Sequence, residues 1–438
     1  MKVGFVSLGC SKNLIDTEMA IGLFKKNKFE IVNDVEKAEI IIVNTCGFIE
    51  SAKQEAINTI LEMAEYKEKG TCKYLIVMGC LVQRYKKELQ KALPEVDLFI
   101  EINDYGSYWD KIIELIGQKE QLDKVNNLCY MDRVISTGDK TAYLKIAEGC
   151  SNRCTYCAIP YIRGPYVSRP MEEILEEAKK LASVGIKELI VIAQDTTRYG
   201  EDLYGKSKLS ELLNELCKID DFEWIRFLYA YPESITDELI ETVRDNPKIC
   251  NYFDIPIQHI SNSVLKRMNR RTNGKQIEEL IKKIKKQIPD VILRTSLIVG
   301  FPGETEEDFN KLYNFVKKGY FDKLGVFTYS KEDGTPAAKL KEQIHPATKK
   351  KRYNIIMSIA KDISAKKLKS YIGKEYKVLL EDTTFDHKFG IGRSYMDIPD
   401  TDGMVIINNC DNKLIGEFVN CKVTSVNNYD LIAKISNK

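Results

Sequence analysis

Three cysteines within eight residues place the tightest constraint on how this chain can fold. Cys150, Cys154 and Cys157 stand in the run Glu-Gly-Cys-Ser-Asn-Arg-Cys-Thr-Tyr-Cys at residues 148–157. Spacings this short let thiolates from one loop converge on one metal centre. Three thiolates can hold three corners of a cubane iron–sulfur cluster and leave the fourth iron open, whereas typical structural clusters use four cysteines. An open iron can bind a substrate or a cofactor, as the open position of a catalytic zinc does.

A structural zinc site and a coincidental grouping are the alternatives. Zinc usually takes paired cysteine or histidine motifs. No second pair lies near this loop, and the only histidines of the chain are His259, His345 and His387. The glycine before the first cysteine and the aromatic Tyr156 argue against coincidence. We therefore expect an iron–sulfur cluster, with zinc as the weaker alternative.

The loop resembles the signature of radical S-adenosylmethionine enzymes. In that family the three cysteines hold a 4Fe-4S cluster, and its open iron chelates the amino and carboxylate groups of the cofactor. One electron then cleaves the sulfonium and gives a 5′-deoxyadenosyl radical. The resemblance implies S-adenosylmethionine as a cofactor and places Tyr156 near its adenine.

Length and composition indicate a multidomain protein of the cytoplasm. The 438 residues suffice for about three domains, and 44% hydrophobic with 30% charged residues is ordinary for a protein with a sizeable core. No apolar run is long enough to span a bilayer, and the N-terminus starts with a strand-like run and no signal peptide. Twelve cysteines in a reducing compartment favour metal or redox chemistry over disulfides. A net charge of +2 indicates no global attraction for nucleic acid.

Residues 1–130 are predicted to form an α/β domain with a parallel sheet. Strands are expected at 3–8, 39–44 and 74–78, and helices at 14–26 and 51–69. Continuous apolar runs that alternate with helices indicate a parallel sheet buried on both faces. Cys10, Cys46 and Cys80 each follow one of these strands. Because parallel strands end at one edge, where ligands bind, we expect these three thiols to converge on a metal.

Buried structural thiols are the alternative for these three cysteines, since free cysteines are often buried. Three matching placements favour the metal site. Cys72 and Cys129 have no such placement and are interpreted as structural.

Residues 131–370 are predicted to form a partial β/α barrel of the radical S-adenosylmethionine type. A polar connector at 118–140 leads into six strand–helix units. The strands are expected at 143–147, 188–193, 224–228, 253–256, 291–299 and 324–329, and one helix at 171–184 before Gly185. Barrel chemistry lies at the carboxyl ends of the strands.

Polar residues at these strand ends are the candidate cofactor contacts. Gly300-Phe301-Pro302-Gly303-Glu304 suits a tight loop whose backbone approaches a ligand, although an ordinary turn explains it equally well. Beside the cysteine loop, it resembles the cofactor-binding segment of the family. The resemblance assigns cofactor binding to Tyr156, Gln194, Asp195, Arg294, Ser296, Gly300, Pro302, Gly303 and Glu304. His259 is interpreted as structural, with a catalytic role as the alternative, and Cys217 and Cys250 are left unassigned.

Residues 371–438 are predicted to form a small antiparallel β-barrel. A lysine-rich helix at 347–371 precedes short strand-like runs at 375–380, 404–407 and 414–419. The segment resembles the TRAM domain that closes methylthiotransferases. A module that binds transfer RNA should be basic, but here acids slightly outnumber bases, and Asp397, Asp400 and Asp402 cluster. This balance favours a basic protein partner, with a solvated acidic loop as the alternative.

Further motifs resemble the methylthiotransferases, and within them the RimO type. In that family the cysteines matching Cys10, Cys46 and Cys80 hold a second 4Fe-4S cluster, whose open iron is thought to carry the transferred sulfur. The motifs are Ser7-Leu8-Gly9-Cys10-Ser11-Lys12-Asn13, Asn44-Thr45-Cys46-Gly47, Ala158-Ile159-Pro160, Gln194-Asp195-Thr196-Thr197 and Tyr329-Ser330-Lys331-Glu332-Asp333-Gly334-Thr335.

The resemblance implies methylthiolation of the β-carbon of an aspartate in the twelfth small-subunit ribosomal protein, free or in the ribosome. It also implies an electron donor such as flavodoxin or ferredoxin, and a sulfur donor. Two alternatives stay open at this point. One is a transfer-RNA methylthiotransferase that acts on the adenosine beside the anticodon. The other is a non-enzymatic iron–sulfur scaffold or electron carrier, which should not cleave S-adenosylmethionine.

Overall fold

The computed structural model of the chain describes residues 1–117, 128–385, 388–408 and 410–436. Residues 118–127 of the expected connector and His387 lie outside this part. Within it, the helices and strands form three groups along the chain. No helix in these ranges is long and apolar enough to cross a bilayer.

The first group is a parallel five-stranded sheet with helices on both faces. Its strands are β1 (Lys2–Ser7), β2 (Glu30–Ile31), β3 (Ile40–Thr45), β4 (Tyr74–Gly79) and β5 (Leu98–Ile100), and its helices are α1 (Ser11–Lys26), α2 (Glu50–Ala64), α3 (Tyr66–Lys69), α4 (Cys80–Ala92) and α5 (Tyr108–Ile116). The strand order is β2-β1-β3-β4-β5. All six residues of β3 are buried, as expected for a central strand covered on both sides.

The strand order reverses between β1 and β3. Loops that leave two such neighbouring strands run to opposite faces of the sheet and open a crevice at the carboxyl edge. Cys10 and Cys46 follow these two strands, and Cys80 follows β4. The predicted parallel α/β sheet is therefore confirmed, and its order places the three cysteines around the crevice.

The second group is a partial barrel of parallel strands. Its strands are β6 (Thr141–Lys145), β7 (Ala147–Glu148), β8 (Val167–Ser168), β9 (Glu188–Ile192), β10 (Trp224–Phe227), β11 (Tyr252–Asp254), β12 (Ile292–Val299) and β13 (Lys323–Thr328). The sheets β10-β9-β6 and β11-β12-β13 meet at a parallel bridge between Ile225 and Ile249. The short β7 and β8 form a separate antiparallel pair. The six parallel strands β6, β9, β10, β11, β12 and β13 match the six predicted units.

Helices connect the strands of this barrel. They are α6 (Ile159–Ile162), α7 (Met171–Ser183), α8 (Glu201–Tyr204), α9 (Leu209–Cys217), α10 (Asp237–Asp245), α11 (Asn262–Arg267), α12 (Gly274–Gln287), α13 (Glu306–Lys317) and α14 (Pro346–Lys369). Of these, α6 packs against α4 of the first group. In β12, Leu293, Leu297 and Val299 pack in the core beneath the helices. Successive strand residues point to opposite faces, so Arg294 and Ser296 face the inside of the barrel.

The third group is a closed five-stranded barrel. Its strands are β14 (Glu375–Thr383), β15 (Phe389–Ser394), β16 (Val405–Asn408), β17 (Phe418–Asn427) and β18 (Asp430–Ile435), in the order β14-β15-β16-β18-β17. The predicted barrel is confirmed, with one parallel pair, β16 and β18, among antiparallel ones. The strand expected at 414–419 was placed too early, because Asn412–Leu414 forms a 3-10 turn before β17.

The acidic loop between β15 and β16 lies against the inner face of the partial barrel. Met396 and Ile398 pack in one apolar cluster with Ile292 of β12. Asp397 accepts a hydrogen bond from Lys323 Nζ at 2.6 Å. Asp402 accepts one from Tyr252 OH at 2.6 Å. The alternative of a solvated acidic loop is wrong for Asp397 and Asp402, because both carboxylates anchor the small barrel to the large one.

Candidate cluster and cofactor sites

The strand-edge thiols (Cys10, Cys46 and Cys80) meet at the carboxyl edge of the first sheet. A Cβ built on Gly9, whose φ is +91°, would lie 2.7 Å from Cys46 Cβ, so only glycine lets the Cys10 loop approach this closely. Burial raises the pKa of Cys46, and it raises that of Cys80 to about 12. The nearby Cys10 thiol adds to both shifts. The fold thus brings these three cysteines together from distant positions.

The loop thiols (Cys150, Cys154 and Cys157) lie between β7 and α6. Cys150 N donates to Gly164 O at 3.1 Å, and Cys157 N donates to Cys154 O at 3.0 Å, so the loop folds back on itself. A Cβ built on Gly149, whose φ is +70°, would lie 2.0 Å from Pro165 O. The glycine before the first cysteine therefore permits this turn. Burial raises the pKa of Cys150 to about 11.

The donor chemistry at both places fits iron–sulfur clusters. Within the described ranges, no group of three His, Cys, Asp or Glu side chains is arranged to hold a single metal ion. A cubane differs from a single ion, because its irons sit at separate corners and each takes its own thiolate. The buried thiols must lose their protons on binding, and the positive charge of the metal drives that loss. Each set of three cysteines suits a cluster better than an ion.

Arg163 connects the two sets of thiols. Its Nη2 donates to Asp16 Oδ2 at 2.8 Å and lies 3.6 Å from Cys80 Sγ. Its Nη1 donates to Glu148 Oε1 at 3.0 Å. Glu148 stands two residues before Cys150, so one guanidinium contacts both the strand-edge thiols and the base of the cysteine loop.

A second buried cation completes this interface. Lys145 Nζ lies 2.7 Å from Asp16 Oδ1 and 2.8 Å from Glu148 Oε2. Burial opposes ionisation of Glu148, but Arg163 and Lys145 hold its pKa well below the usual range. The two cations and the two carboxylates are balanced in charge. They fix α1 of the first group against β6 of the barrel.

Lys12 is a third buried cation at this interface. The residue is 3% exposed, and its Nζ lies 3.2 Å from the centroid of the Tyr229 ring. Burial lowers the pKa of Lys12 to about 8. Tyr229 follows β10 with a φ of +64°. Lys12 thus extends from the strand-edge thiols to the carboxyl end of a barrel strand.

Arg270 occupies the corresponding position beside the loop thiols. Its Nη1 lies 3.9 Å from Cys154 Sγ. Its guanidinium lies 4.2 Å from the centroid of the Tyr231 ring, and Tyr231 OH lies 3.8 Å from the same sulfur. Each set of thiols therefore has one buried arginine within 4 Å of a sulfur atom.

The structure brings several predicted cofactor contacts together. Tyr156 packs against the apolar cluster that contains Phe301 of the 300–304 loop. Arg294 and Ser296 lie on the inner barrel face, and Arg294 Nη1 donates to Asp254 Oδ1 at 2.8 Å. Gln194 follows β9 and is half-buried. Tyr156, Gln194 and the 300–304 loop lie at the carboxyl end of the barrel, whereas Arg294 is the third of the eight residues of β12 and its Nε lies 3.7 Å from Asp402 Oδ1 of the small barrel. The contacts of all these residues with cofactor stay a prediction.

Asp195 already holds the cysteine loop. Its Oδ2 accepts a hydrogen bond from Asn152 Nδ2 at 2.7 Å, and its Oδ1 accepts one from Thr197 Oγ1 at 2.5 Å. Burial raises the pKa of Asp195 to about 6. Since Asn152 lies between two of the loop thiols, Asp195 supports that loop directly.

Glu304 closes the loop of Gly300, Pro302 and Gly303. Its Oε2 accepts hydrogen bonds from the backbone N–H groups of Gly300 and Phe301, at 2.5 and 3.1 Å. Its Oε1 accepts one from Arg352 Nη1 at 3.1 Å. Burial raises the pKa of Glu304 to about 7. The carboxyl group shapes the loop.

His259 has the environment of a structural histidine. It is fully buried, and its Nδ1 accepts a hydrogen bond from Ser261 N at 3.0 Å. Burial lowers the pKa of His259 to about 3, so the imidazole stays neutral at physiological pH. Cys72 is also buried, with Sγ 3.4 Å from Tyr74 O.

Sequence reasoning did not assign the charged residues of the interface. Lys12, Asp16 and Glu18 lie in α1 and are nearly fully buried, and Lys145 lies in an otherwise apolar strand. A charged residue inside an apolar strand is the signal that was available, because such a residue needs a buried partner. Arg163 and Arg270 carried no comparable local signal.

Comparisons with known proteins assign the family. The profile of the Radical SAM superfamily matches residues 144–316, that of Uncharacterized protein family UPF0004 matches 2–101, and that of the TRAM domain matches 372–435. The chain is 63% identical over 436 residues to "Ribosomal protein uS12 methylthiotransferase RimO" of Alkaliphilus oremlandii, covering 99% of each chain. It is 52% identical over 448 residues to the protein of that name from Acetivibrio thermocellus, covering 100% of this chain and 99% of the relative. The chain belongs to the RimO family of methylthiotransferases.

Family membership confirms the enzyme class and the cofactors. The chain is a radical S-adenosylmethionine methylthiotransferase, and its cofactors are S-adenosylmethionine and 4Fe-4S clusters. The alternative of a non-enzymatic scaffold is thereby set aside.

Solved structures support the fold. The radical S-adenosylmethionine methyltransferase TsrM from Kitasatospora setae matches with a TM-score of 0.58 at 12% identity, covering 77% of this chain and 73% of TsrM. The cobalamin-dependent S-adenosylmethionine radical enzyme OxsB matches with a TM-score of 0.51 at 15% identity, covering 82% of this chain and 56% of OxsB. At these identities the likeness concerns the fold alone.

Proposed function

We propose that this enzyme methylthiolates the β-carbon of an aspartate in ribosomal protein uS12. Relatives that share 63% and 52% of its residues are named as uS12 methylthiotransferases. The structural observation that carries the proposal is the shared buried interface of the two thiol sets. Arg163 lies six residues after Cys157 and contacts Cys80, so the two sites are joined across one guanidinium.

The six cysteines divide between two clusters in this proposal. The loop thiols would hold the 4Fe-4S cluster that binds S-adenosylmethionine, and the strand-edge thiols would hold the second. Tyr156, Gln194, Ser296 and the 300–304 loop would hold the cofactor at the inner carboxyl end of the barrel, with Arg294 reaching it from lower in β12. Asp195 and Glu304 support that site through Asn152 and the loop amides.

The chemistry suits a substrate carbon that bases do not activate. An aspartate β-hydrogen on sp³ carbon is not acidic enough for a side-chain base to remove easily. When bound, the cofactors supply a radical able to take that hydrogen, a methyl group and the transferred sulfur. The chain itself positions the reacting groups. Four buried charged side chains fix the two sites relative to each other: Arg163, Lys145, Asp16 and Glu148.

The partners and the location follow from this reaction. A cytoplasmic electron donor such as flavodoxin or ferredoxin provides the electron, and a separate sulfur donor replenishes the second site. Domain boundaries near residues 130 and 370 separate the three folded units. The small barrel is anchored to the large one through Asp397 and Asp402.

The test is an anaerobic reaction with reconstituted protein, reductant, S-adenosylmethionine and a mixture of uS12 and transfer RNA. Mass spectrometry should find a methylthio group on an aspartate-containing peptide of uS12. A methylthio group on the nucleoside would keep the chemistry and overturn the substrate. A reaction that yields no 5′-deoxyadenosine and modifies neither molecule would overturn the proposed roles of the loop thiols.

A further inference from the structure

Lys12 is a buried cation for which the described part of the chain provides no carboxylate within ion-pair distance and no hydrogen-bond acceptor. Among the described residues, its close contact is the face of the Tyr229 ring, 3.2 Å from Nζ, and the carboxylates of Asp254 and Glu148, which favour the charged form, lie beyond ion-pair distance. A buried ammonium normally requires an anionic partner, because removal from water is costly.

Other buried cations around the site do have such partners. Lys145 contacts Asp16 and Glu148, and Arg163 contacts the same two carboxylates. Arg294 contacts Asp254 at 2.8 Å. The missing anion at Lys12 is therefore a specific feature of this position, and it marks a place where an anion can be received.

The location of Lys12 suits a substrate contact. The residue stands two positions after Cys10, one of the strand-edge thiols. Its partner Tyr229 follows β10, at the carboxyl end of the barrel where chemistry occurs. Lys12 thus lies between the proposed sulfur-bearing site and the proposed cofactor site, which is the region that the reacting carbon must enter.

We propose that Lys12 binds the side-chain carboxylate of the substrate aspartate. This inference rests on the proposed function, in which the β-carbon of an aspartate reacts. The carboxylate is bonded directly to that carbon, so holding the carboxylate at Lys12 also places the reacting carbon beside the strand-edge thiols. The ammonium gains its missing anion, and the enzyme gains selectivity for aspartate over asparagine.

The test compares uS12 with a uS12 variant whose target aspartate is replaced by asparagine. Wild-type enzyme should bind and modify the aspartate form at least about tenfold better, the size of one charge-assisted hydrogen bond. In Lys12→Met, which keeps the apolar stem on Tyr229, this preference should fall towards unity in both binding and rate. Lys12→Gln provides a second neutral variant if the methionine variant folds poorly.

Lys53→Met is the matched control. Lys53 is also a largely buried lysine near a tyrosine ring, but it has carboxylate partners, with Nζ 2.6 Å from Glu50 and 3.3 Å from Glu332. Its removal should leave the preference for aspartate unchanged. Iron and sulfide content and circular dichroism of each variant report whether clusters and fold are retained.

The outcomes separate this inference from the proposed function. If wild-type enzyme neither binds nor modifies uS12, the proposed function fails. If wild-type enzyme prefers the aspartate form and Lys12→Met retains the whole preference, the role of Lys12 fails. A Lys12→Met variant that shifts the midpoint potential of the second cluster but keeps the preference would show that Lys12 serves the cluster, and would also overturn the proposal.

Discussion

The two sets of thiols reach similar environments by opposite routes. The loop thiols lie four and three residues apart, whereas the strand-edge thiols lie 36 and 34 residues apart. Each set has a buried arginine close to a sulfur, Arg270 at 3.9 Å from Cys154 and Arg163 at 3.6 Å from Cys80. The loop site is a property of one short segment. The strand-edge site exists only when three strands of the first sheet have formed.

Removal of either set of thiols should have the largest effect on iron content and on activity. Replacing Cys150, Cys154 and Cys157 together with alanine should remove half of the iron and all formation of 5′-deoxyadenosine. The alanine variant of the strand-edge thiols should lose the other half of the iron and all methylthio transfer, yet still form 5′-deoxyadenosine. Iron analysis and chromatography of the nucleoside measure both.

Cys72→Ala with Cys129→Ala is the control, since neither cysteine is placed at a cluster, and iron content should stay complete. Loss of 5′-deoxyadenosine from the strand-edge variant would contradict the division of roles between the two sites.

Cluster loss should destabilise the first sheet more than the barrel. A cluster closes the chain segments between its cysteine ligands. Closing a segment that is ninefold longer removes more entropy from the unfolded chain, and it therefore adds about 2 kcal/mol more to the free energy of unfolding. Each cluster closes two such segments. Loss of the strand-edge cluster should therefore lower the free energy of unfolding by about 4 kcal/mol more than loss of the loop cluster. Hydrogen exchange of the amides in β1, β3 and β4 measures this in each alanine variant. Equal loss of protection in the two variants would argue that the strand-edge site is formed before any cluster binds.

The barrel should also respond to pH through Glu304. Burial raises the pKa of this carboxyl group from 4.5 to about 7, so folding favours its protonated form. Its contribution to stability is complete below pH 4.5 and is lost as pH rises through 7, by up to about 3 kcal/mol. Glu304→Gln should therefore flatten the decline in the thermal midpoint between pH 5 and pH 7.

Glu306→Gln is the control for this measurement. Glu306 contacts the same Arg352 at 3.2 Å, but its side chain is 74% exposed. The decline should persist in that variant. A wild-type midpoint that rises across this pH range would show that Glu304 is ionised in the folded barrel.

Arg163 and Arg270 should each affect the midpoint potential of the cluster beside it and not that of the other cluster. Reduction adds negative charge, which a nearby guanidinium stabilises. Arg163→Met should lower the midpoint potential of the strand-edge cluster, and Arg270→Met that of the loop cluster. Loss of one charge-assisted contact worth about 1.4 kcal/mol corresponds to about 60 mV. Redox titration followed by electron paramagnetic resonance distinguishes the clusters.

Arg226→Met is the matched variant, because Arg226 is fully buried and bonded to Glu188, away from both sets of thiols. The midpoint potentials of both clusters should be unchanged in Arg226→Met. Equal shifts of both clusters in Arg163→Met would mean that the guanidinium acts on the sites as one unit.

Local patterns were sufficient for the ligand candidates and the fold class. The loop thiols are visible in eight residues. The strand-edge thiols follow from a general rule, because parallel strands end at a common edge and each of these cysteines stands just after an apolar run. The small barrel was predicted from short strands separated by turns. Its one parallel pair and the correct start of β17 were not predicted.

The charged network required the tertiary structure. Asp16 meets Lys145, and Asp402 meets Tyr252, across separations of 129 and 150 residues. No local periodicity encodes such a pair. Asp397 illustrates the consequence, since its sequence environment resembles a solvated acidic loop while its carboxylate is bound to Lys323 inside the molecule.

The sequence by itself determined the chemistry that this protein can perform, because thiol spacing and strand periodicity are short-range properties. Only the tertiary structure decided how the two sets of thiols are connected and which buried cations have a carboxylate partner. Arg163 contacts two carboxylates, whereas Lys12 is buried beside the strand-edge thiols with no carboxylate of the described residues within ion-pair distance. That difference depends on how α1 packs against the barrel, and packing between distant segments is settled by burial and charge pairing over the whole chain.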